Sequence, residues 1–338
     1  MAMGVLRDVI PAFELFQPTS VDDVLGLMDR HGAETWLMAG GMDSFDWFKD
    51  RIRRPRAVID LSGVQALVGI KEANGGLEIG AMTTLTDIAK NQIVGERFAL
   101  LKQAAEVVAS PQIRNIGTLG GNVIQDARCW YYRQGWPCYR AGGNICYADT
   151  PTAMNREHAI FEADRCVAVT PSDTAGALVA LDAEFVVRRV GGAERVIPAT
   201  EFFVPPAYDI ERMTAVGQGD LLVAIRIPGT FAGKTFYFEK IRDREVWDFA
   251  LMSVASAISG TSSIEDSRIV IGGVATRPYR LTEVEAAIRG RARNEETAQM
   301  AADLAVQGAV PLQHNGYKVP MMANLVKRAI RGASAWTS

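Results

Sequence analysis

The chain has 338 residues, 48% apolar and 22% charged, with 36 basic against 39 acidic side chains and a formal net charge of −3. That length predicts about two domains of ~100–200 residues, and the composition excludes a disordered or fibrous chain and argues against nucleic acid as a partner. No stretch reaches the ~18 uncharged apolar residues of a membrane-spanning helix, and residues 1–11 lack the apolar core and cleavage site of a signal peptide, which points to the cytoplasm.

In chain order, Ser20 is a suitable N-cap, and Val21, Val24, Leu25 and Met28 recur at helical spacing, so a helix runs to about Arg30. Residues 35–38 form a short strand that stops at Ala39-Gly40-Gly41-Met42-Asp43-Ser44. Strands follow at 57–60 and 77–79, the latter leading through Gly80-Ala81-Met82-Thr83-Thr84 into a helix marked by Leu85, Ile88 and Ala89. Residues 97–109 carry Phe98, Leu101, Ala105 and Val108 on one helical face. Residues 114–122 (RNIGTLGGN) read as a β-like run broken by three glycines, which permit close backbone approach.

Cys129, Cys138, Cys146 and Cys166 are the only cysteines, spaced C-x8-C-x7-C-x19-C. In a large cytoplasmic chain such clustering points to metal or redox chemistry rather than disulfides. The spacing is unlike zinc ribbons or bacterial ferredoxins, so free thiols remain an open reading of spacing alone. Residues 128–148 show no helical or strand period and read as a long irregular loop, of the kind that is uncommon unless functional. A metal centre would cross-link that loop, with Trp130, Tyr131, Trp136 and Tyr139 shielding it from water. Four thiolates are also what an iron–sulfur cubane needs.

Beyond the loop, Ser172 or Asp173 caps a helix over 175–181, and strands are expected at 184–189 and 221–227. Pro228-Gly229 is the expected domain boundary. Strands at 235–241 and 269–271 and helices at 281–289, 295–306 and 321–331 complete a smaller second domain.

Neither glycine cluster fits G-x-G-x-x-G, and no P-loop is present, which argues against standard NAD and P-loop sites. Two glycine-rich loops can still supply backbone N–H groups to a pyrophosphate, with Ser44, Thr118 and Asn122 as side-chain partners; the alternative is a pair of tight turns.

The order AGGMDS, IGAMTTL, RNIGTLGGN, Lys240-Ile241-Arg242 with Asp248-Phe249-Ala250, then Gly272-Gly273-Val274-Ala275 resembles the FAD-binding subunits of the xanthine dehydrogenase family of molybdenum hydroxylases. The likeness spans nearly the whole chain and extends to Asn315-Gly316-Tyr317-Lys318 and residues 325–329. The family's first loop usually reads AGGTD, so Met42 is a departure that loses a hydroxyl. The long insertion between Asn122 and Ser172-Asp173 is similar to that of a subgroup carrying an extra [4Fe–4S] cluster, which includes aromatic-aldehyde oxidoreductases and 4-hydroxybenzoyl-CoA reductase.

The resemblance implies an α+β fold: a two-part FAD-binding domain of the vanillyl-alcohol-oxidase type over residues 1–228, with lobes at about 1–62 and 63–228 and the cysteine loop at 123–171. A CO-dehydrogenase-flavoprotein-like α+β domain over 229–338 follows. It implies that Leu37, Met38, Ala39, Gly40, Gly41, Met42, Asp43 and Ser44 hold the FAD pyrophosphate and that Thr118, Gly121 and Asn122 form the second loop. Asp173 would accept hydrogen bonds from the FAD sugar-alcohol, or else cap a helix; Leu222 would line the flavin; Lys240 would favour reduced flavin by its charge. Cys129, Cys138, Cys146 and Cys166 would ligate the cluster, with His158 beside it or simply exposed. The implied function is electron transfer within a complex. A small [2Fe–2S] subunit and a large molybdenum-cofactor subunit are its partners, an external acceptor takes the electrons, and export would require a signal on a partner. A reductive benzoyl-CoA-type complex, a stand-alone flavin reductase and a zinc-binding scaffold are the alternatives.

Overall fold

The computed structural model describes residues 10–332; the reading of the first nine residues as lacking a leader therefore lies outside the described part. Among the described residues, twelve strands form three sheets: β1 (Glu14–Phe16), β2 (Thr35–Met38), β3 (Ala57–Asp60), β4 (Ile70–Ala73), β5 (Gly76–Gly80), β6 (Glu184–Arg189), β7 (Glu194–Pro198), β8 (Asp220–Ile227), β9 (Thr235–Ile241), β10 (Met252–Ser259), β11 (Asp266–Gly272) and β12 (Tyr279–Arg280). The helices are α1 (Val21–His31), α2 (Ser44–Lys49), α3 (Leu85–Lys90), α4 (Gln92–Arg97), α5 (Ala99–Glu106), α6 (Pro111–Arg114), α7 (Leu119–Ile124), α8 (Trp130–Arg133), α9 (Asp173–Ala180), α10 (Ala199–Phe202), α11 (Thr282–Ile288), α12 (Glu295–Ala305) and α13 (Lys318–Arg331).

A parallel three-stranded sheet, β1-β3-β2, forms the first unit, its centre the buried run Ala57-Val58-Ile59 of β3. A five-stranded antiparallel sheet, β4-β5-β8-β6-β7, forms the second. Its first hairpin turns at Asn74-Gly75, both at positive φ, the pairing that a two-residue hairpin favours. An antiparallel sheet, β12-β11-β10-β9, carries α11, α12 and α13, whose core includes Val254, Ile271, Leu325 and Val326.

Helix α9 joins the last two units. All eight of its residues are buried, and Gly176 sits 3.7 Å from Ala255 Cβ on β10, counted from where its own Cβ would stand. Each fully buried Leu or Val there contributes about 1.5–3 kcal/mol.

The elements expected at 35–38, 57–60, 184–189 and 235–241 match in span. The run at 114–122 is a correction: residues 111–114 and 119–124 are helical, because Ser110 caps α6 and Thr118 caps α7. The helix expected over 97–109 is split at Phe98, whose extended φ of −136° separates α4 from α5. Strand β10 was not expected at all; it is buried on both faces and so lacks alternation.

Candidate functional site

The C-terminal end of β2 and the N-terminal end of α7 meet face to face. A Cβ on Gly40 would overlap the Ile116 carbonyl, and one on Gly120 would stand 2.7 Å from the Ala81 carbonyl oxygen. The glycines thus let the loops approach their neighbours closely. Between the loops, β8 and the start of α9 lies a cavity of about 500 Å³. Leu37, Ala39, Gly40, Gly41, Met42, Asp43, Ser44, Thr118, Gly121, Asn122, Asp173, Leu222 and Lys240 all line it. Met38 does not: it packs instead on the apolar cluster of Trp47, Phe48 and Tyr132.

The two loops differ in what they offer. Among the described residues, none of the Gly40, Gly41 and Met42 N–H groups donates within the chain. In the second loop the Leu119 and Gly120 N–H groups donate to the Thr83 and Ala81 carbonyls, and Gly121 N–H to Thr118 Oγ1. The first loop therefore keeps its donors for a ligand, while the second spends them on its own fold. Asn122 Oδ1 accepts from Ser172 Oγ and Thr174 Oγ1, both at 2.6 Å, tying α7 to α9.

Ser172, not Asp173, caps α9: its Oγ accepts from Ala175 N–H at 3.1 Å. Asp173 is left to pair with Lys240, whose Nζ stands 2.6 Å from Oδ2, both side chains almost wholly buried. Burial raises the Asp173 pKa, opposed by the Lys240 charge. The Lys240 charge that was expected to act on the flavin is thus balanced by Asp173.

All four cysteines line one small cavity of about 20 Å³, together with Tyr131, Tyr132, Tyr139, Arg140 and Tyr147. Burial pushes the Cys129 thiol up to about 11, against N–H donation from Tyr132 and Tyr131 at the start of α8. Burial also raises Cys146, against N–H groups of Val167, Asp149 and Ala148. Arg140 is buried with Nε and Nη2 lacking a hydrogen-bond partner; burial disfavours its charge but is outweighed by Cys166 and Asp126, so its pKa lies above the ordinary value. His158 is buried, not exposed, with Nε2 3.2 Å from Cys129 Sγ and its pKa lowered to about 4, first by burial and then by Lys318. Trp130 and Trp136 are 56% and 45% exposed, so they do not shield the cavity as expected; Tyr132 and Tyr147 do more of that. Among the described residues, no three His, Cys, Asp or Glu side chains are grouped as a single metal ion requires.

A further cavity of about 610 Å³ adjoins the first and shares Arg128, Pro171, Asp173, Trp247 and Phe249 with it; its far wall carries Cys129 and His158. Trp247 there has φ of +80°, and its N–H donates to Ala109, itself at +43°, so two non-glycine residues in left-handed backbone meet at the cavity wall. The sequence reading passed over Arg128, Arg133 and Arg140. Three arginines in an otherwise uncharged, cysteine-bearing loop were the signal available for them.

Comparison with known proteins identifies the family. Residues 11–230 match the FAD binding domain in molybdopterin dehydrogenase, and residues 236–333 match the CO dehydrogenase flavoprotein C-terminal domain. The chain is 33% identical to the aldehyde oxidoreductase FAD-binding subunit PaoB of Escherichia coli over 88% of its own length and 91% of that protein. It is 29% identical to the carbon monoxide dehydrogenase medium chain of Hydrogenophaga pseudoflava over 96% and 98% of the two chains. A solved structure of the Hydrogenophaga pseudoflava carbon monoxide dehydrogenase superposes with a TM-score of 0.76 at 28% identity, covering 96% of this chain and 98% of that one. The chain belongs to the FAD-binding medium subunits of the molybdenum hydroxylases, a family of oxidoreductase subunits. No helix among the described residues is long and apolar enough to cross a membrane.

Proposed function

We propose that the chain is the FAD- and [4Fe–4S]-bearing electron-transfer subunit of a molybdenum hydroxylase complex that oxidises an aldehyde or heterocycle. The observation that carries this reading is the run of adjoining cavities, from the glycine loops through the shared wall to Cys129. FAD held in the first cavity would supply the redox chemistry, carrying electrons from [2Fe–2S] centres of a small partner subunit to an external acceptor, with the molybdenum cofactor in a large partner subunit. The kinship with PaoB favours an aldehyde as the substrate of the complex. We place the complex in the cytoplasm unless a partner subunit carries an export signal.

This chain's part is binding and electrostatics. The free N–H groups of Gly40, Gly41 and Met42 hold the pyrophosphate, and Leu222 with the Asp173–Lys240 pair bounds the flavin end at nearly zero net charge. Cys129, Cys138, Cys146 and Cys166 hold the cluster. Two observations support that role: N–H groups point at two of the sulfurs, and the unpartnered Arg140 and His158 nitrogens suit an anionic group. A cubane spreads its four thiolates over four irons, so they need not converge as around one ion.

The test is the visible spectrum of anaerobically purified protein, with iron and sulfide analysis before and after dithionite. Flavin bands over a broad ~400 nm shoulder and about four irons per chain are expected, with iron lost and flavin retained in Cys146→Ser. Flavin without iron removes the cluster from the proposal; a colourless zinc protein overturns it.

A further inference from the structure

The first glycine loop carries one carboxylate, and it is committed to the cysteine loop. Arg128 Nη1 stands 2.5 Å from Asp43 Oδ1, Arg133 Nη2 donates to Oδ2 at 3.0 Å, and Trp47 Nε1 donates to Oδ2 at 3.2 Å. Arg133 is only 11% exposed; its guanidinium lies 3.7 Å over the Trp47 ring, and its Nε donates to the Ala127 carbonyl at 2.9 Å. Arg128 and Arg133 bracket Cys129 and the single turn of α8 that Cys129 opens. The same turn carries Tyr132, whose hydroxyl donates to Asp126 at 2.8 Å, and Asp126 stands 3.6 Å from Arg140, the buried neighbour of Cys166. An unbroken series of charged and hydrogen-bonded groups thus joins the first glycine loop to the cysteine cavity.

We propose that Asp43 is a positioning residue that couples the two cavities, so that filling either one makes filling the other more favourable. A four-residue helix cannot hold itself by its own hydrogen bonds. The placement of α8 therefore comes from its neighbours, Asp43 on one side and the surroundings of Cys129 on the other. Ordering the glycine loop around a pyrophosphate fixes Asp43, which fixes the two arginines and with them Cys129; linkage makes the effect reciprocal. The inference rests on the flavin reading of the first cavity, and in its second arm on the cluster reading.

The first arm uses iron-free protein stripped of flavin. Maleimide labelling of the partly exposed Cys129 and Cys146 is followed by mass spectrometry with and without FAD. FAD is expected to slow labelling at least ~5-fold in the wild type, to give no protection in Asp43→Asn, and to give partial protection in Asp43→Glu. The second arm measures the FAD Kd by flavin fluorescence, expected to tighten on iron–sulfide reconstitution in the wild type and to stay constant in Asp43→Asn. Equal protection in wild type and Asp43→Asn, or none in either, overturns the coupling. Protection lost in Asp43→Asn without any uptake of iron keeps the coupling and removes the cluster. If Asp43→Asn fails to fold, Arg128→Gln, which keeps the Arg133–Asp43 pair, must lose at least about half of the protection; full protection there overturns the proposal.

Discussion

At the scale of single residues, the deepest electrostatic commitment is Asp173–Lys240, two ionisable groups taken out of water to sit 2.6 Å apart. Such a pair adds little over a well-packed apolar one, but breaking it leaves an uncompensated buried charge or forces its neutralisation. Lys240→Met should therefore cost about 3–5 kcal/mol in urea unfolding, and Asp173→Asn in the same background should recover a good part of it. A Lys240→Met protein as stable as wild type would show that the pair is better solvated than its burial indicates. Ser172 frees Asp173 for this pairing by taking over the cap of α9, a division of labour between adjacent residues that both types could have filled.

At the scale of elements, glycine serves contact between loops as much as contact with a ligand. The Gly120 position leaves no room for a methyl group, with the Ala81 carbonyl 2.7 Å and the Ala81 Cβ 2.9 Å from where it would stand. The backbone there belongs to α7 and to the bonds that tie it to Ala81 and Thr83 after β5, so relief requires the loop to shift. Gly120→Ala is expected to purify folded by circular dichroism but with well under half of the wild-type flavin per chain, read from the absorbance ratio. Gly121→Ala, whose nearest neighbour is the Thr118 hydroxyl at 3.0 Å, should lose less.

At the scale of the whole molecule, the cysteine loop is fastened to the C-terminal unit by a buried amine. Lys318 Nζ donates to the carbonyls of Glu157, His158 and Gly273 at 2.8, 2.9 and 2.6 Å, and Asn315 Nδ2 to those of His158 and Ala159. Burial pulls the Lys318 pKa from 10.5 down to about 7, against the nearby Glu157 charge. Between those two values the unfolded chain binds a proton there that the folded chain has released, so this group makes stability rise with pH from about 7. The gap in unfolding free energy between wild type and Lys318→Met should widen from pH 6 to pH 9 by at most about 2–3 kcal/mol, because the three carbonyl acceptors favour the ammonium and oppose its burial. A gap that stays constant would mean that the amine keeps its ordinary pKa. Lys318→Met should also loosen the far end of the cysteine loop, seen as faster proteolysis within residues 150–165.

Much of this protein was legible in its sequence because the determinants are local. Capping residues such as Ser20, apolar periodicity in α12, and the Ala39–Ser44 glycine loop depend on spacings of a few residues, so their elements and their resemblance to a known family could be read directly. The cysteines announced one another by clustering, and they do line one cavity. Strand β10 was hidden because burial on both faces erases alternation, and the 114–122 run misled because its glycines mask two short capped helices. The partners of charge lay beyond any local pattern. Asp43 with Arg128 and Arg133, Asp173 with Lys240, and Lys318 with the carbonyls at 157, 158 and 273 join segments 45 to 161 residues apart in the chain. Only the tertiary packing of the three sheets and their helices brings them together, because a buried charge takes whichever counter-group the fold delivers rather than one its own segment supplies.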